Sequence, residues 1–402
     1  MKFDRTALCG CAEAACRLEN GKAVLEWAFH LMLDTGEQVR KVSVPLRSEE
    51  ERNLLRKEKG YIRLILTDKQ NNIILECVQK LREEEPLQSI LLQPALWRGI
   101  RDPHLYGMEA ILADETGNLL DRAQGQLALR CLSRTDRNGK TEILLNNEDL
   151  TPRAVRYTLP EAGTAAAIQR QMLEDLQWML KLGANCVCLE TSSEKEMAAW
   201  PGCMTEAHME FRMKADHEVS LKANTEHCRE ICPDVTGDAE NGRKQALYNL
   251  FLQLCDRCGF LVFLRDVKRQ EYTWAHGKKT RLPVLQDDYM TVFRGKENSC
   301  FHPGSSRPDS LFYRYQARWN RIPFVHIVPE SIRRLKSGNY AVLCYSNCGR
   351  VALYSDGILF EYKSGEEEFY FQEIPARTPT IMLTAEGEGC CETLSIHKSF
   401  TK

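Results

Sequence analysis

Between Ile143 and Glu190 the sequence commits the chain to a strand, a helix and a second strand. The run is ILLNNEDLTPRAVRY, a Pro-Glu-Ala-Gly connection, then AAAIQRQMLEDLQWMLKLGANCVCLE. Ile168, Met172, Leu176, Met179 and Leu180 recur at three- and four-residue spacing, which predicts one apolar stripe along a helix of about 3.6 residues per turn. Thr164 is suited to cap the helix start by accepting a backbone N–H, and Gly183 to take the left-handed conformation that stops it. Ala184 to Leu189 returns as a short apolar run, the pattern of a strand buried between helices. Two strands joined in this way form a parallel βαβ unit, which requires an α/β sheet or barrel around it.

A chain of 402 residues exceeds one ordinary core and predicts two or three domains. With 54 basic and 56 acidic residues the net charge is −2, so electrostatics favours neither nucleic acid nor membrane as a partner. No apolar stretch approaches the ~20 residues of a membrane span, and the charged start MKFDR is a poor secretory signal. The 17 cysteines are odd in number and mostly sit in apolar runs, as Cys186, Cys188, Cys255 and Cys344 do. Buried thiols in a reducing cytosol fit that pattern better than a disulfide framework, so the expected location is cytoplasmic.

Upstream, residues 14–134 read as β-structure. Ala23 to Leu33, Tyr61 to Leu66 and Met108 to Ala113 alternate or run apolar, with turn chemistry at Asp34-Thr35-Gly36, Asp68 to Asn72 and Asp114 to Gly117. Such spacing predicts a β-sandwich. The charged stretch Ser48 to Lys59 reads as a solvated loop or short helix. Downstream, residues 192–242 form an irregular, charged insert holding His208, His217, His227, Cys228 and Cys232. Ala246, Leu247, Leu250, Phe251, Leu254 and Cys258 then make a second helical stripe, Gly259 a stop, and Phe260 to Leu264 a buried strand. From Asp266 to Ser310 no further strand–helix alternation is visible, only a polar loop with Trp274, Asp287, Asp288 and His302. Alternation at Val351 to Tyr354 and Phe369 to Phe371 predicts strands again.

Several blocks resemble one family. RNGKTEILLNNEDLTPRAVRY followed by LEDLQWMLKLGANCVCLETS resembles the barrel entrance of glycoside hydrolase family 2, the β-galactosidase and β-glucuronidase family. The match rests on Leu145, Asn146, Arg153, Val155, Asp175, Met179, Lys181, Gly183, Asn185 and Val187. Leu96-Trp97-Arg98, Asp102 to Tyr106 and Leu127 to Arg130 are similar to the immunoglobulin-like domain that precedes that barrel. LFLQLCDRCGFLVF resembles its second helix and third strand. Tyr345, Ser346, Asn347, Cys348, Val351, Leu353 and Gly357 resemble the sandwich that follows the barrel. The resemblance implies an immunoglobulin-like β-sandwich over 14–134, a truncated TIM-barrel-like domain over 135–318 with the insert at 192–242, and a C-terminal β-sandwich over 319–402. It also implies that the family's N-terminal jelly-roll domain has no room here and that the middle of the barrel is gone.

Retaining hydrolysis in this family needs two carboxyl groups about 5–5.5 Å apart at the C-terminal ends of barrel strands. The resemblance places the acid/base after an Asn on the fourth strand and the nucleophile on the seventh, and neither strand can be placed in this sequence. The only Asn-Glu dipeptide, Asn147-Glu148, falls in the hairpin turn before the first strand. The family's Asn-x-His after that strand becomes Arg156-Tyr157-Thr158, its Arg at the end of the second becomes Cys188, and the following Ser-His becomes Glu190-Thr191. A thiol cannot supply the five N–H donors of a guanidinium. The catalytic candidates left are Glu190 and Asp266, whose bland reading is strand-end capping or pairing with Arg156 or Arg265; the substrate-binding candidates are Arg153, Arg156 and Tyr157.

Cys255-x-x-Cys258 has zinc-like spacing but lies on a helix whose apolar face needs those positions, and a structural zinc wants two such pairs. No phosphate loop or Gly-x-Ser-x-Gly motif occurs, so neither metal nor cofactor is expected. Three readings follow. The preferred one is a reduced, carbohydrate-active relative without normal glycosidase activity. The second is an active β-glycosidase rebuilt on Glu190 and Asp266. The third is an interaction module whose uncovered barrel edges take a protein partner or a second copy.

Overall fold

The computed structural model describes residues 6–34, 39–44, 49, 53, 59–83, 85–137, 140–160, 163–191, 208–210, 239–266, 271–274, 290–295, 298–375 and 377–397. His217, His227, Cys228, Cys232, Asp287, Asp288 and most of Ser48 to Lys59 lie outside these residues. The chain divides into two compact units. One comprises Met1–Thr151, Leu159–Leu176 and Cys188–Val284; the other comprises Pro152–Thr158, Gln177–Val187 and Leu285–Lys402. Among the described residues no helix is long and apolar enough to cross a membrane.

Eight strands open the first unit: β1 (Thr6–Glu19), β2 (Lys22–Asp34), β3 (Val39–Val44), β4 (Gly60–Thr67), β5 (Ile73–Lys80), β6 (Leu87–Leu92), β7 (Tyr106–Asp114) and β8 (Leu119–Leu127). β1 and β2 form a long hairpin, with β3 and β6 sharing the other edge of β2. The second sheet runs β5-β4-β7-β8, antiparallel throughout. Leu8, Leu25, Phe29, Leu64 and Leu112 are fully buried in the shared core, and buried Trp27 satisfies its indole N–H on Ser89 Oγ at 2.7 Å. The β4–β5 and β7–β8 turns are built alike. Asp68 Oδ1 accepts from the backbone N–H groups of Gln70 and Asn72, and Asp114 Oδ1 from those of Thr116 and Asn118.

A small sheet follows, ordered β11-β10-β9, of β9 (Leu132–Arg137), β10 (Lys140–Leu145) and β11 (Glu148–Leu150). Its two-residue turn holds Asn146 at φ 55° and Asn147 at φ 67°, the left-handed pair that a tight hairpin demands.

Next come β12 (Ala154–Tyr157), helix α1 (Ala165–Leu182), β13 (Cys186–Thr191), β14 (His208–Glu210), helix α2 (Ala239–Cys258), β15 (Leu261–Asp266), β16 (Glu271–Trp274), β17 (Met290–Arg294) and β18 (Ser299–Phe301). β14 joins the edge of β1; in the first unit β16 pairs with β15, which neighbours β13, and in the second β17 lies between β12 and β18. The helix predicted from the stripe is α1. Thr164 Oγ1 accepts from Ala167 N at 3.3 Å. Ile168, Met172, Leu176 and Met179 are buried, but Leu182 completes the stripe and Leu180 is 38% exposed.

The polar loop expected between Asp266 and Ser310 is corrected by three short strands. β16 is antiparallel to β15, whereas β17 pairs parallel with β12 and β18 parallel with β17. Parallel neighbours ordinarily need a crossover of a dozen residues. β17 and β18 are joined by only residues 295–298, with Asn298 at φ 49°, so no helix announces them in the sequence.

Helix α3 (Ser310–Trp319) leads to the last strands: β19 (Val325–Ile327), β20 (Arg333–Arg334), β21 (Tyr340–Ser346), β22 (Arg350–Ser355), β23 (Ile358–Ser364), β24 (Glu367–Ile374), β25 (Thr380–Gly387) and β26 (Cys390–His397). β21 pairs with β19, β20 and β24, and the second sheet runs β23-β22-β25-β26. Their core contains Val342, Leu353, Phe371 and Leu383, all fully buried. Asn347 ties the lead-in segment: its Oδ1 accepts from Phe324 N, and its Nδ2 donates to the carbonyls of Asn320 and Ile322.

Candidate functional site

In the second unit, the entries of β12 and β13 are locked together. Arg153 N donates to Asn185 Oδ1 at 2.7 Å, and Arg153 O accepts from the N–H groups of Asn185 and Cys186. The Arg153 guanidinium donates to Trp319 O at 2.6 Å, and Asn320 Nδ2 to Lys181 O at 2.8 Å. α1 ends in a Schellman motif: Ala184 N donates to Met179 O and Gly183 N to Leu180 O, with Gly183 at φ +91°. A Cβ on Gly183 would stand 2.7 Å from Asn320 N and Trp319 C. Arg153 thus precedes β12 and serves the entry of the strand, at the opposite end from Arg156 and Tyr157.

The exit of β12 is different. Tyr157 is 3% exposed and packs edge-on against Phe293 at 5.9 Å, so it stands in the aromatic core. Arg156 is half-buried. At the end of β17, Arg294 lies 4.9 Å over the Phe301 ring and donates to Ser305 O at 3.0 Å. Sequence reasoning passed Arg294 over because nothing local marks β17.

In the first unit, Glu190 is the penultimate residue of β13 and Asp266 the last of the neighbouring β15; their side chains lie outside the described residues. Strand register places Glu271, a carboxylate that sequence reasoning missed, directly across from Asp266. The five candidates therefore divide: Glu190 and Asp266 belong to one unit, and Arg153, Arg156 and Tyr157 to the other. Cys188, where the resemblance would put a guanidinium, is a fully buried thiol, as is Cys186.

The entry of β15 repeats the design of the β13 entry. α2 ends at Gly259, φ +85°, with Phe260 N donating to Cys255 O, and a Cβ on Gly259 would stand 2.6 Å from Gly99 C and O. Trp97 Nε1 donates to Asp256 O, Arg130 pairs with Asp256 at 2.6 Å, and the guanidinium lies 4.5 Å over the Trp97 ring. Asn147-Glu148 is a turn and strand start, with Glu148 3.7 Å from Arg101.

Cys255 is fully buried on α2, and burial raises the pKa of the Cys258 thiol. Burial likewise pushes Cys16, Cys300 and Cys344 up to about 12, so these sulfurs stay protonated near neutrality. Among the described residues no group of three or more His, Cys, Asp or Glu is placed to hold a metal ion.

No protein-family model matches the sequence, and no curated protein matches it. Solved structures do. A Bacteroides uniformis β-glucuronidase aligns over 98% of this chain and 62% of its own, at 13% identity and TM-score 0.56. A Parabacteroides merdae β-glucuronidase aligns over 98% and 65%, at 12% identity and TM-score 0.55. A glycosyl hydrolase family 2 member from Bacteroides cellulosilyticus aligns over 98% and 64%, at 11% identity and TM-score 0.51. The chain thus spans just under two thirds of these relatives' length, and over nearly all of its own it is similar in fold to the β-glucuronidases of glycoside hydrolase family 2.

Proposed function

We propose that the protein is a carbohydrate-active relative of these enzymes that keeps their scaffold and lacks normal glycosidase turnover: an immunoglobulin-like sandwich, a truncated barrel and a C-terminal sandwich. The observation that carries this reading is the edge of β15. In a (β/α)₈ barrel the third strand pairs with a parallel fourth, the strand on which this family holds its acid/base. Here the antiparallel hairpin strand β16 takes that edge. The buried Cys188 supports the same reading, since a thiol offers a sugar none of the guanidinium donors expected at its position.

The test is a panel of aryl β-glucuronides, β-galactosides and β-glucosides. Release of the aryl alcohol no faster than in the Glu190→Gln variant is the expected result. Robust turnover by the wild-type chain that Glu190→Gln abolishes would overturn it. The register Asp266–Glu271 beside β13 favours one alternative, an active β-glycosidase rebuilt on Glu190 and Asp266. That alternative predicts that Asp266→Asn also abolishes turnover.

A further inference from the structure

Two thiols of the C-terminal sandwich meet. Cys348 Sγ lies 3.7 Å from Cys390 Sγ, across 42 positions of sequence. Cys348 stands in the turn from β21 to β22, and Cys390 is the first residue of the edge strand β26. Both are held in place. Cys348 N donates to Ser346 Oγ at 3.0 Å, and that hydroxyl donates to Phe324 O at 2.6 Å. The preceding Asn347 holds the lead-in segment through Asn320, Ile322 and Phe324. Cys390 faces Gly387 across the β25–β26 hairpin.

Gly387 is the second observation. Its φ is not left-handed, so its backbone does not call for glycine. A Cβ there would stand 2.7 Å from Cys348 Sγ and 3.1 Å from Cys390 Sγ, so the sulfurs meet in the space that a side chain would fill. Strand alternation turns the next residue, the exposed Cys391, to the opposite face. Thiols are weak donors and acceptors, so a hydrogen bond alone is a poor reason to pack two of them together. A disulfide would draw the sulfurs to about 2.05 Å, a closure within reach of rotation at the two side chains.

We infer that Cys348 and Cys390 form a disulfide that ties β26 to the β21–β22 turn when the chain meets a small-molecule disulfide such as glutathione disulfide. Cys390 is the more accessible sulfur, and its thiolate attacks the oxidant first. One glutathione leaves and a mixed disulfide remains. The Cys348 thiolate then attacks Cys390 Sγ and expels the second glutathione. Both protein sulfurs are oxidised, the oxidant is reduced to two thiols, and these take up the two cysteine protons. Burial, then the hydrogen bond with Cys348, pushes the Cys390 thiol up to about 11. Exchange is therefore slow near neutrality and quickens with pH, and so poor a leaving group makes the finished bond hard to reduce. The inference concerns the C-terminal sheets alone and holds whether or not the glycosidase reading does.

The test incubates the folded full chain with glutathione disulfide at mildly alkaline pH. The sample is quenched with N-ethylmaleimide in denaturant and mapped by peptide mass spectrometry. A Cys348–Cys390 cross-link should form, persist in about tenfold excess of reduced glutathione, and survive in Cys391→Ser. Cys348→Ala should abolish it. Calorimetry should show a thermal transition raised by about 5 °C or more in the oxidised chain, and no such rise in oxidised Cys348→Ala. Recovery of Cys348 and Cys390 as alkylated thiols after Cys391 has been glutathionylated would reduce the pair to a hydrogen bond and overturn the inference. So would Cys390 ending joined to Cys391, a cross-link that appears only in unfolded chain, or a cross-link that leaves the transition where it was.

Discussion

Arg153 enters β12 and Arg156 sits one residue from its end, yet the two ends of this strand are built for different purposes. At the entry, backbone and side chain are committed: Arg153 to Asn185 and Trp319, Gly183 to the chain at Asn320, Lys181 O to Asn320 Nδ2. The entry of β15 is committed in the same way, through Gly259, Trp97, Arg130 and Asp256. At the exit of β12 the Tyr157 ring has turned into the aromatic core and Arg156 is half-buried. The residues that carry the family resemblance concentrate at the entries, the barrel face associated with stability, whereas loops and catalytic groups occupy the exits. The signature at the entries therefore speaks for the scaffold and not for the chemistry at the exits.

The sharpest way to break this contrast is to add one methyl group at an entry. Gly183→Ala and Gly259→Ala each combine a left-handed backbone with a Cβ under 3 Å from other backbone atoms. Urea denaturation should show each losing about 3 kcal/mol or more. Arg130→Ala comes next: it strips Asp256 of a partner at 2.6 Å and Trp97 of its cation, for about 2 kcal/mol. Gly21→Ala is the control, since its φ of +77° is left-handed but nothing lies within 4 Å of the added Cβ. It should cost only about 1 kcal/mol. If Gly21→Ala costs as much as Gly183→Ala, backbone conformation and not close packing explains the entries.

The smallest effect is in pH. Hydrogen bonds from Thr116 and Asn118 hold the Asp114 carboxyl at about 2, and those from Asn72 and Gln70 lower that of Asp68. Both shifts are downward, so their stabilisation is present above the unfolded carboxylate range near 4. It is lost as pH falls towards about 2. The urea midpoint should decline across that window, and Asp114→Asn should flatten the decline. Both groups are exposed, so the change is small.

What the sequence makes legible is local. Thr164, Gly183 and Gly259 act within one turn of their own helices, and spacing alone identifies them. Three- and four-residue steps from Leu176 and Met179 reach both Leu180 and Leu182, and only packing chooses Leu182 for the buried stripe. β16, β17 and β18 were invisible for a different reason. They are three to five residues long and lack the crossover helices that mark β12 and β13, and β17 pairs with β12, far away in sequence. The bond from Arg153 to Trp319 joins positions separated by 166 residues, and no sequence pattern encodes it. For the site, the motif comparison exposed the altered tips at Arg156, Cys188 and Glu190; only the register exposed Glu271 beside Asp266.

Cyclophellitol-6-carboxylate aziridine is found covalently bound to Bacteroides uniformis β-glucuronidase 2, and intact-mass analysis after incubation with it tests the central claim most directly. A scaffold without a working nucleophile should show no added mass under conditions that label an active β-glucuronidase completely. A single stoichiometric adduct, mapped to Glu190, Asp266 or Glu271 and lost on substituting that residue, would contradict the account.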